Sequence, residues 1–430
     1  MINKLKIFIL FIFLSNCSLD TKTGIWKESE KLENQETLKT KEVFKKKEII
    51  EKEFNSNIRI NLKDKFSTNS FINNLTNNNA YLNYDGKLKK VSKYNFSKIS
   101  DFNFTQPELL FTKDKSIIFF DNKGTVIRLD ENLKEIWKKN IYSKNEKKLE
   151  PILYFASNKN ILLVADNISN YYALKLDNGE LLWKKNNISP FNSQIKVFKD
   201  RFFAIDYNNA LRCFSIKTGE EIWNFKSEKS FINSQQKLSM VIDSNKLVFI
   251  NSLGDLTALD LRNGFLLWQT PTQSNVLFEN AFSLKNSDII LNKKVVYFSN
   301  NKNETFSINF DTGQINWRQV VNSNIRPSII GDLLFLVSIE GYLVVIDKNN
   351  GNIIRITNVF EKDNNVEPTG FVIGKKNIYL SLSNGRLIII NIADGKLLDL
   401  VKIDGGKISR GSIVDSHLYL IMNNSIVKMN

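Results

Sequence analysis

The chain has 430 residues, and 42% of them are hydrophobic, which is enough to bury a large core. Lysine and arginine outnumber aspartate and glutamate by 60 to 45, giving a net charge of +15. The lysines are dispersed along the chain, with no basic stripe interleaved with aromatic residues, so the sequence predicts no nucleic-acid partner. A single histidine, His417, excludes a histidine-based metal cluster.

The first predicted element is an export signal. Lys4 and Lys6 precede an apolar run at residues 7–14, which is too short to span a membrane as a helix. The sequence Leu-Ser-Asn-Cys that ends at Cys17 resembles the lipobox of bacterial lipoproteins, although Asn16 departs from the usual small residue. The resemblance implies a signal peptide at residues 1–16 and diacylation of Cys17, with palmitate among the acyl chains. Ser18 after the cysteine suggests the outer membrane by the sorting rule of that family.

The alternative interpretation of this segment is an ordinary signal peptide or an uncleaved anchor that happens to contain a cysteine. If Cys17 is consumed by acylation, Cys213 has no cysteine left for an intramolecular disulfide. Cys213 lies in a strand-like run and is predicted to pack as a small hydrophobic residue.

The segment after Cys17 is polar and rich in lysine and glutamate. Residues 27–53 alternate in charge with sparse apolar positions, so they cannot bury a core by themselves. We predict that residues 17–75 form a flexible charged tether between the bilayer and a folded domain. A helix that binds a partner is the alternative.

From about residue 110 the chain repeats itself. The clearest unit, residues 258–268, reads ALDLRNGFLLW, and related units end at residues 137, 183, 223, 317, 355 and 399. Successive units are 38 to 49 residues apart, and each reads as three strands joined by Asn-, Gly- or Asp-rich hairpin turns. A fourth, less regular strand precedes them. A period in the forties with this strand pattern is typical of a β-propeller.

The repeated residues are predicted to be structural. The glycine of each unit would supply the positive φ of a tight hairpin, and the tryptophan four residues later would fill the seam between neighbouring blades. The alternative is a row of tryptophans that serve as ligand platforms. The four complete pairs are Gly179 with Trp183, Gly219 with Trp223, Gly264 with Trp268, and Gly313 with Trp317.

The number of blades follows from the repeat count. Seven units are visible, two further strands follow residue 399, and residues 84–94 would supply a strand that closes the ring. We therefore predict an all-β fold, an eight-bladed propeller at residues 76–430 closed by strands from both chain ends, with seven blades as the alternative. Closure of this kind removes exposed sheet edges.

The frame Ala-x-Asp-x-x-Thr-Gly-x-x-x-Trp is similar to the repeat of pyrroloquinoline-quinone dehydrogenases and their non-catalytic relatives. Together with the lipobox, the chain resembles the BamB family of lipoproteins. That resemblance implies a scaffold on the periplasmic face of the outer membrane that binds the POTRA domains of a BamA-like protein. It would assist the assembly and insertion of outer-membrane proteins within the BAM complex.

In that family the BamA contact lies on loops of the third and fourth blades, which here follow Trp223 and Trp268. The family's loop motif is not reproduced. As a separate expectation, Phe231 and Ile232 are apolar residues in a polar connector and are candidates for partner binding. The alternative is that they cap the core.

The sequence predicts no catalytic, cofactor-binding or metal-binding residues and no small-molecule substrate. A quinoprotein dehydrogenase is the enzymatic alternative, but the chain has no adjacent cysteines, and its acidic residues mostly occupy turns. The sequence also contains no Gly-x-Gly-x-x-Gly or Walker loop and no Ser-His-Asp pattern. A third hypothesis is an exported propeller that binds cell-wall glycan.

Overall fold

A computed structural model describes residues 50–66, 75–78, 81–99, 107–227, 236–272, 284–361 and 366–430. Within these ranges the chain forms thirty-two β-strands and one short helix, α1 at Lys144–Lys147. A capping box closes the N-terminus of α1, where Ser143 and Glu146 bind each other's backbone amides. None of the described residues forms a helix with the length and apolar character needed to cross a bilayer.

The strands form eight antiparallel sheets of four strands each in the described part of the chain. The first four sheets, blades 1 to 4, consist of β2 to β17: β2 Leu110–Phe111, β3 Ile117–Phe120, β4 Val126–Leu129, β5 Glu135–Lys139; β6 Leu153–Asn158, β7 Ile161–Asp166, β8 Asn170–Lys175, β9 Leu181–Asn186; β10 Lys196–Phe198, β11 Arg201–Ile205, β12 Ala210–Ser215, β13 Glu221–Lys226; β14 Met240–Asp243, β15 Lys246–Ile250, β16 Leu256–Asp260, β17 Leu266–Thr270.

The remaining four sheets, blades 5 to 8, consist of β18 to β32 together with β1: β18 Ile290–Asn292, β19 Val295–Asn300, β20 Glu304–Asn309, β21 Ile315–Gln319; β22 Ser328–Ile330, β23 Leu333–Val337, β24 Tyr342–Asp347, β25 Ile353–Asn358; β26 Pro368–Ile373, β27 Asn377–Leu382, β28 Arg386–Asn391, β29 Leu397–Lys402; β30 Ser412–Val414, β31 His417–Met422, β32 Ser425–Met429, and β1 Lys90–Asn95.

The core lies in the seams between blades. Successive side chains of a strand point to opposite faces of the sheet. The middle strands of a blade therefore contribute side chains to the seams on both sides of the blade. In β15, Leu247 and Phe249 pack toward blade 3, whereas Val248 and Ile250 pack toward blade 5. The first strand of each blade is innermost, as the contacts of β10 with β6 and β14 indicate, and the fourth strand is outermost and mostly exposed. This arrangement is an eight-bladed β-propeller, and the predicted blade number is confirmed.

Blade 8 closes the ring with strands from both ends of the chain. Its order is β30, β31, β32 and then β1, and β1 pairs antiparallel with β32, with Lys93 opposite Val427. The strand expected within residues 84–94 therefore forms at residues 90–95, as the outermost strand of the blade. Strands from both ends of the chain therefore pair within this blade.

Residues 50–66, which we name the strap, lie along the outer edge of blade 6. The backbone of Phe54 exchanges two hydrogen bonds with Ile356 of β25, at 3.1 and 2.8 Å. Further along, the amide of Ile60 donates to the carbonyl of Ala393 at 2.7 Å, and the Ile60 side chain is buried. The strap was part of the predicted tether at residues 17–75; that domain division stays a prediction, and the structure adds these contacts with the propeller.

A second N-terminal segment runs along the inside of the ring. The carbonyls of Leu75 and Thr76 accept hydrogen bonds from the inner strands of blades 4 and 5, at 2.9 and 2.8 Å. Asn78 pairs with the backbone of Ile329 in blade 6, and Leu82 donates to Ile373 in blade 7. This segment therefore forms one wall of the space at the propeller axis.

Candidate functional site

The repeated tryptophans lie between adjacent blades. In the seams of Trp137, Trp183, Trp268 and Trp317, the indole N–H donates to a carbonyl three residues before the turn glycine of the next blade. The bonds measure 3.1 Å from Trp183 to Ile216, 3.2 Å from Trp268 to Phe310 and 2.8 Å from Trp317 to Lys348. Each of these rings is half-buried, so the seam holds it from one side.

The glycine of each pair is required for two reasons. Gly179, Gly219, Gly264 and Gly313 all have φ between +70° and +76°, where a side chain is strained. A Cβ at these positions would also overlap the preceding tryptophan. At Gly313 it would lie 2.6 Å from Cδ2 of Trp268.

Trp223 departs from the pattern. Its Nε1 is buried without a hydrogen-bond partner among the described residues, although its ring lies against Gly264 as in the other seams. The carbonyl of Leu261, which occupies the equivalent acceptor position, accepts from Arg201 at 3.3 Å instead. An indole N–H left unsatisfied in this way reduces the stabilisation that the seam gains from its tryptophan.

Arg355 occupies the tryptophan position of blade 6 and is fully buried. Its guanidinium donates to the carbonyls of Ile392 and Ala393 in the next turn, at 3.0 and 2.6 Å, and to Ile58 of the strap at 3.0 Å. Desolvation lowers the pKa of Arg355, with Asp394 opposing the effect. The arginine therefore replaces the indole N–H bond and adds an attachment point for the strap.

Three of the residues singled out from the sequence lie outside the described ranges. They are the lipidation candidate Cys17 and the partner-binding candidates Phe231 and Ile232. Cys213 is described: it is fully buried in the seam between blades 3 and 4, and burial raises the pKa of its thiol to about 12. A thiol in that state packs as an apolar group.

A cavity of about 150 Å³ lies at the propeller axis. Its apolar lining comes from the inner strands of several blades, and the N-terminal segment contributes Asn77. The amide of Asn77 donates to Gln194, Ser239, Met240 and Ile289, at 2.9 to 3.1 Å, and so joins blades 3, 4 and 5.

Charged side chains converge on this cavity. Glu108 of blade 1 binds Lys237 of blade 4 at 2.9 Å and Arg326 of blade 6 at 2.6 Å. Arg326 also donates to Asp288 through Nε at 2.7 Å. Lys196 of blade 3 donates to Oδ1 of Asn77 at 2.5 Å. The cavity therefore has a network of cations and carboxylates drawn from five blades.

Arg410, which precedes the inner strand of blade 8, also lines the cavity. Its Nε donates to the carbonyl of Phe371 in the inner strand of blade 7 at 3.1 Å. In all, Lys196, Lys237, Arg326 and Arg410 contribute four cations, against the carboxylates of Glu108 and Asp288. For the part of the chain that the structure describes, cations therefore exceed carboxylates by two.

Burial and neighbouring charges both shift the pKa values of these groups. Desolvation and then the charge of Arg326 lower the pKa of Lys196 to about 7, and the same two causes lower the pKa of Arg410 to about 9. Burial would raise the pKa of Glu108, but the charges of Arg326 and Lys237 outweigh it and hold that pKa below its usual range.

The sequence analysis missed this cluster. Its members share one feature: each lies at the start of the innermost strand of a blade or within three residues before it. That is the least regular strand of the repeat, so no motif marks it. The residues are Glu108, Lys196, Lys237, Asp288, Arg326 and Arg410. Among the described residues, no group of three or more His, Cys, Asp or Glu side chains is placed to hold a metal ion.

The fold, the tryptophan–glycine seams and the ring closure together define an eight-bladed propeller built from quinoprotein-type repeats. The model of the family described as outer membrane protein assembly factor BamB matches residues 122–357, which is more than half of the chain. The chain belongs to this family.

Similarity to individual proteins is low in sequence and clear in fold. BamB of Legionella pneumophila (strain Paris) is 22% identical over 211 residues, covering 47% of this chain and 51% of that protein. The crystal structure of BamB from Moraxella catarrhalis aligns with a TM-score of 0.64 at 13% identity, covering 80% of this chain and 99% of that one. The chain spans 64% and 51% of the length of the first two relatives that it matches.

The fold is shared with enzymes as well. The quinohemoprotein alcohol dehydrogenase of Comamonas testosteroni aligns with a TM-score of 0.61 at 12% identity, covering 81% of this chain and 78% of that chain. At such identities the likeness concerns the fold alone.

Proposed function

We propose that the protein is a non-catalytic scaffold of outer-membrane β-barrel assembly. The observation that carries the proposal is the BamB family match over residues 122–357 of an eight-bladed propeller. In this role the propeller binds the POTRA domains of a BamA-like protein and assists the assembly and insertion of outer-membrane proteins. Acylated Cys17 holds it on the periplasmic face of the outer membrane, because two or more acyl chains suffice for stable anchoring.

Affinity purification of the full chain from native membranes tests this proposal. Co-purification of a BamA-like protein is the expected result. Recovery of cell-wall fragments without a BamA-like protein would refute the scaffold and favour the glycan-binding alternative. In the same experiment, Cys17→Ser moves the protein from the membrane fraction to the soluble periplasmic fraction if Cys17 is the anchor.

We propose that Phe231 and Ile232, in the connector between β13 and β14, contact this partner. Charged replacements at apolar interface positions remove hot-spot contacts worth about 2 kcal/mol or more each. At about 2 kcal/mol for each contact, the double variant Phe231→Glu, Ile232→Glu is expected to weaken partner binding about a thousandfold and to abolish recovery of the partner. Ile188→Glu is the matched control, because Ile188 is 88% exposed in the connector between β9 and β10, the corresponding position of the preceding blade.

Equal loss in the double variant and in Ile188→Glu would contradict a specific contact. If the double variant melts at a lower temperature than the wild type and still binds the partner, Phe231 and Ile232 cap the core instead. A measurement of the thermal midpoint therefore accompanies the purification.

The dehydrogenase alternative is tested directly, because structural likeness extends to quinohemoprotein enzymes. Purified protein is incubated with pyrroloquinoline quinone and Ca²⁺, and its absorbance and dye-linked alcohol oxidation are measured. Turnover above that of the free cofactor would overturn the scaffold proposal.

A further inference from the structure

The outermost strand of blade 8 and the residues just before it are strongly basic. Residues 87–93 read KLKKVSK, so they contain four lysines and no acidic residue. All four lysine side chains are exposed, and among the described residues none of them forms an ion pair or a side-chain hydrogen bond. They are Lys87, Lys89, Lys90 and Lys93. Their positive charges therefore face solvent along the outer rim of the ring.

The outer strand of blade 1 continues this surface. Tyr94 of β1 donates to Glu135 of β5 at 2.9 Å, so the two outer strands are neighbours. Strand β5 adds the exposed Lys138 and Lys139, and its one carboxylate, Glu135, pairs with Lys138 at 3.5 Å. Residues 87–95 and 135–139, which we name the basic edge, thus present six lysines against one carboxylate.

Two other outer strands show a different pattern. In β9 of blade 2, Lys184 binds Glu146 at 3.3 Å and Lys185 binds Glu220, so both cations are paired. Strand β17 of blade 4 contains no charged residue, although its Leu266 is 49% exposed. Lysines on an edge strand discourage pairing with other chains. Because β17 is an outer strand without them, that role alone does not account for six lysines on two adjacent blades.

Exposed aliphatic side chains lie among these lysines. Val91 of β1 and Ile136 of β5 are each 48% exposed. The aromatic residues of the two strands, Tyr94 and Trp137, are instead packed against the core and hydrogen-bonded. Lysines beside exposed aliphatic groups suit the headgroup layer of an anionic membrane, whereas single-stranded nucleic acids stack on exposed aromatic rings.

We propose that the basic edge docks on the surface of an anionic phospholipid bilayer. The lysine ammonium groups lie among the lipid phosphates, and Val91 and Ile136 enter the boundary between headgroups and acyl chains. This contact requires neither acylation of Cys17 nor a BamA-like partner. It determines which edge of the propeller faces the membrane.

Vesicle sedimentation tests the docking with the chain from Ser18 onward. This chain lacks Cys17 and the apolar run at residues 7–14, and it keeps the strap and all the described strands. The anionic vesicles contain phosphatidylglycerol and phosphatidylethanolamine in equal amounts, and phosphatidylcholine vesicles are the neutral reference. We expect at least about tenfold tighter binding to the anionic vesicles. The difference should disappear between about 0.1 M and about 1 M salt, because the Debye length falls from about 10 to about 3 Å.

Substitutions locate the contact. Each lysine close to an anionic surface strengthens binding about fivefold, so the triple variant Lys89→Gln, Lys90→Gln, Lys93→Gln is expected to bind about a hundredfold more weakly. The matched control removes the same charge and is expected to bind as the wild type does. It replaces three exposed lysines in turns of blades 2 and 3 by glutamine: Lys159, Lys199 and Lys217.

Equal binding to anionic and neutral vesicles overturns the proposal, and so does equal weakening in the two triple variants. If single-stranded DNA binds more tightly than the anionic vesicles and loses affinity in the same variant, the basic edge binds nucleic acid instead. Thermal melting shows whether both variants are folded. If the basic-edge variant is not, the lipid and salt dependence of the chain without substitutions decides.

Discussion

At the scale of single residues, the seams depend on close approach between an indole and a backbone that carries no side chain. Gly313 combines a φ of +76° with a ring of Trp268 that leaves no room for a methyl group. Arg355 shows that the position tolerates another residue when it reaches the same carbonyl and has further acceptors. At this position, an N–H group that binds the turn of the next blade can therefore join two blades even where no aromatic ring is present.

Gly313→Ala is expected to lower the free energy of unfolding by about 1–3 kcal/mol, because it adds backbone strain and a clash with Trp268. Urea unfolding followed by circular dichroism measures the change. Gly405→Ala is the matched control, since a Cβ there meets nothing within 4 Å, and it should change the free energy by less than about 0.5 kcal/mol. Equal effects of the two substitutions would show that the seam contact contributes nothing.

Lys196 predicts a pH dependence of stability. Its pKa in the folded protein is about 7, below the usual value for lysine, so the folded state binds fewer protons than the unfolded state between the two values. Burial of the protonated Lys196 amine lowers the free energy of unfolding. This destabilisation is fully present below pH 7 and is lost as the pH rises above 7. In Lys196→Met the free energy of unfolding should therefore rise less from pH 7 to pH 10 than in the wild type, as urea titrations in a phosphate-free buffer would measure. An unchanged slope would contradict the lowered pKa.

At the scale of elements, the strap shows how a polar N-terminal segment is held without strands of its own. Two backbone hydrogen bonds join Phe54 to the outer edge of blade 6, and Arg355 binds the carbonyl of Ile58. The outer strand of a propeller blade is an unpaired edge, and covering it restricts pairing with other chains. The Ile60 side chain is buried in a seam core, and the partly buried Leu62 packs against the same cluster.

Ile60→Asp is expected to release the strap, because it places a carboxylate in an apolar seam. Hydrogen exchange at the amide of Ile356, which donates to Phe54, should become faster, and residues 50–66 should become sensitive to protease. Ile58→Asp is the control, since the Ile58 side chain is 42% exposed and its hydrogen bonds, from the amide to Asn55 and from Arg355 to the carbonyl, are made by the backbone. If both variants exchange as the wild type does, the Ile60 contact does not hold the strap.

At the scale of the whole molecule, the ring is a chain of blades whose two ends meet in blade 8. Each blade buries its faces against its neighbours, and the last blade is completed when β1 pairs with β32. Ile426 and Val427 of β32 are buried, and their contacts join the clusters on the two sides of this blade. Ring closure therefore couples the stability of all eight blades.

Removal of residues 425–430 deletes β32 and is expected to lower the free energy of unfolding by at least about 5 kcal/mol, from the buried Ile426, Val427 and Met429 alone. The loss would appear as a lower midpoint and a broader transition in urea. Removal of Asn430 alone, which is exposed and follows the end of β32, should leave the transition nearly unchanged. A sharp transition at the wild-type midpoint after the longer truncation would contradict coupling through closure.

Local patterns were sufficient for the architecture. The spacing of the glycine and tryptophan positions predicted the blades and their number, and residues 84–94 were the predicted closing strand, because hairpin turns and strand alternation depend on neighbours in the chain. The acylation of Cys17 and the contacts of Phe231 and Ile232 stay predictions. They concern chemistry and partners outside the described residues.

Only the tertiary structure revealed the axial cluster and the strap. Glu108, Lys196 and Arg326 are more than 80 residues apart in the chain, and only closure of the ring brings them together. Their pKa shifts come from burial and mutual charge, which no local pattern encodes. The contact of Arg355 with Ile58 likewise joins residues about 300 positions apart. The sequence thus determined the repeated unit, and the meeting of distant blades decided where charge accumulates and where the N-terminal segment binds.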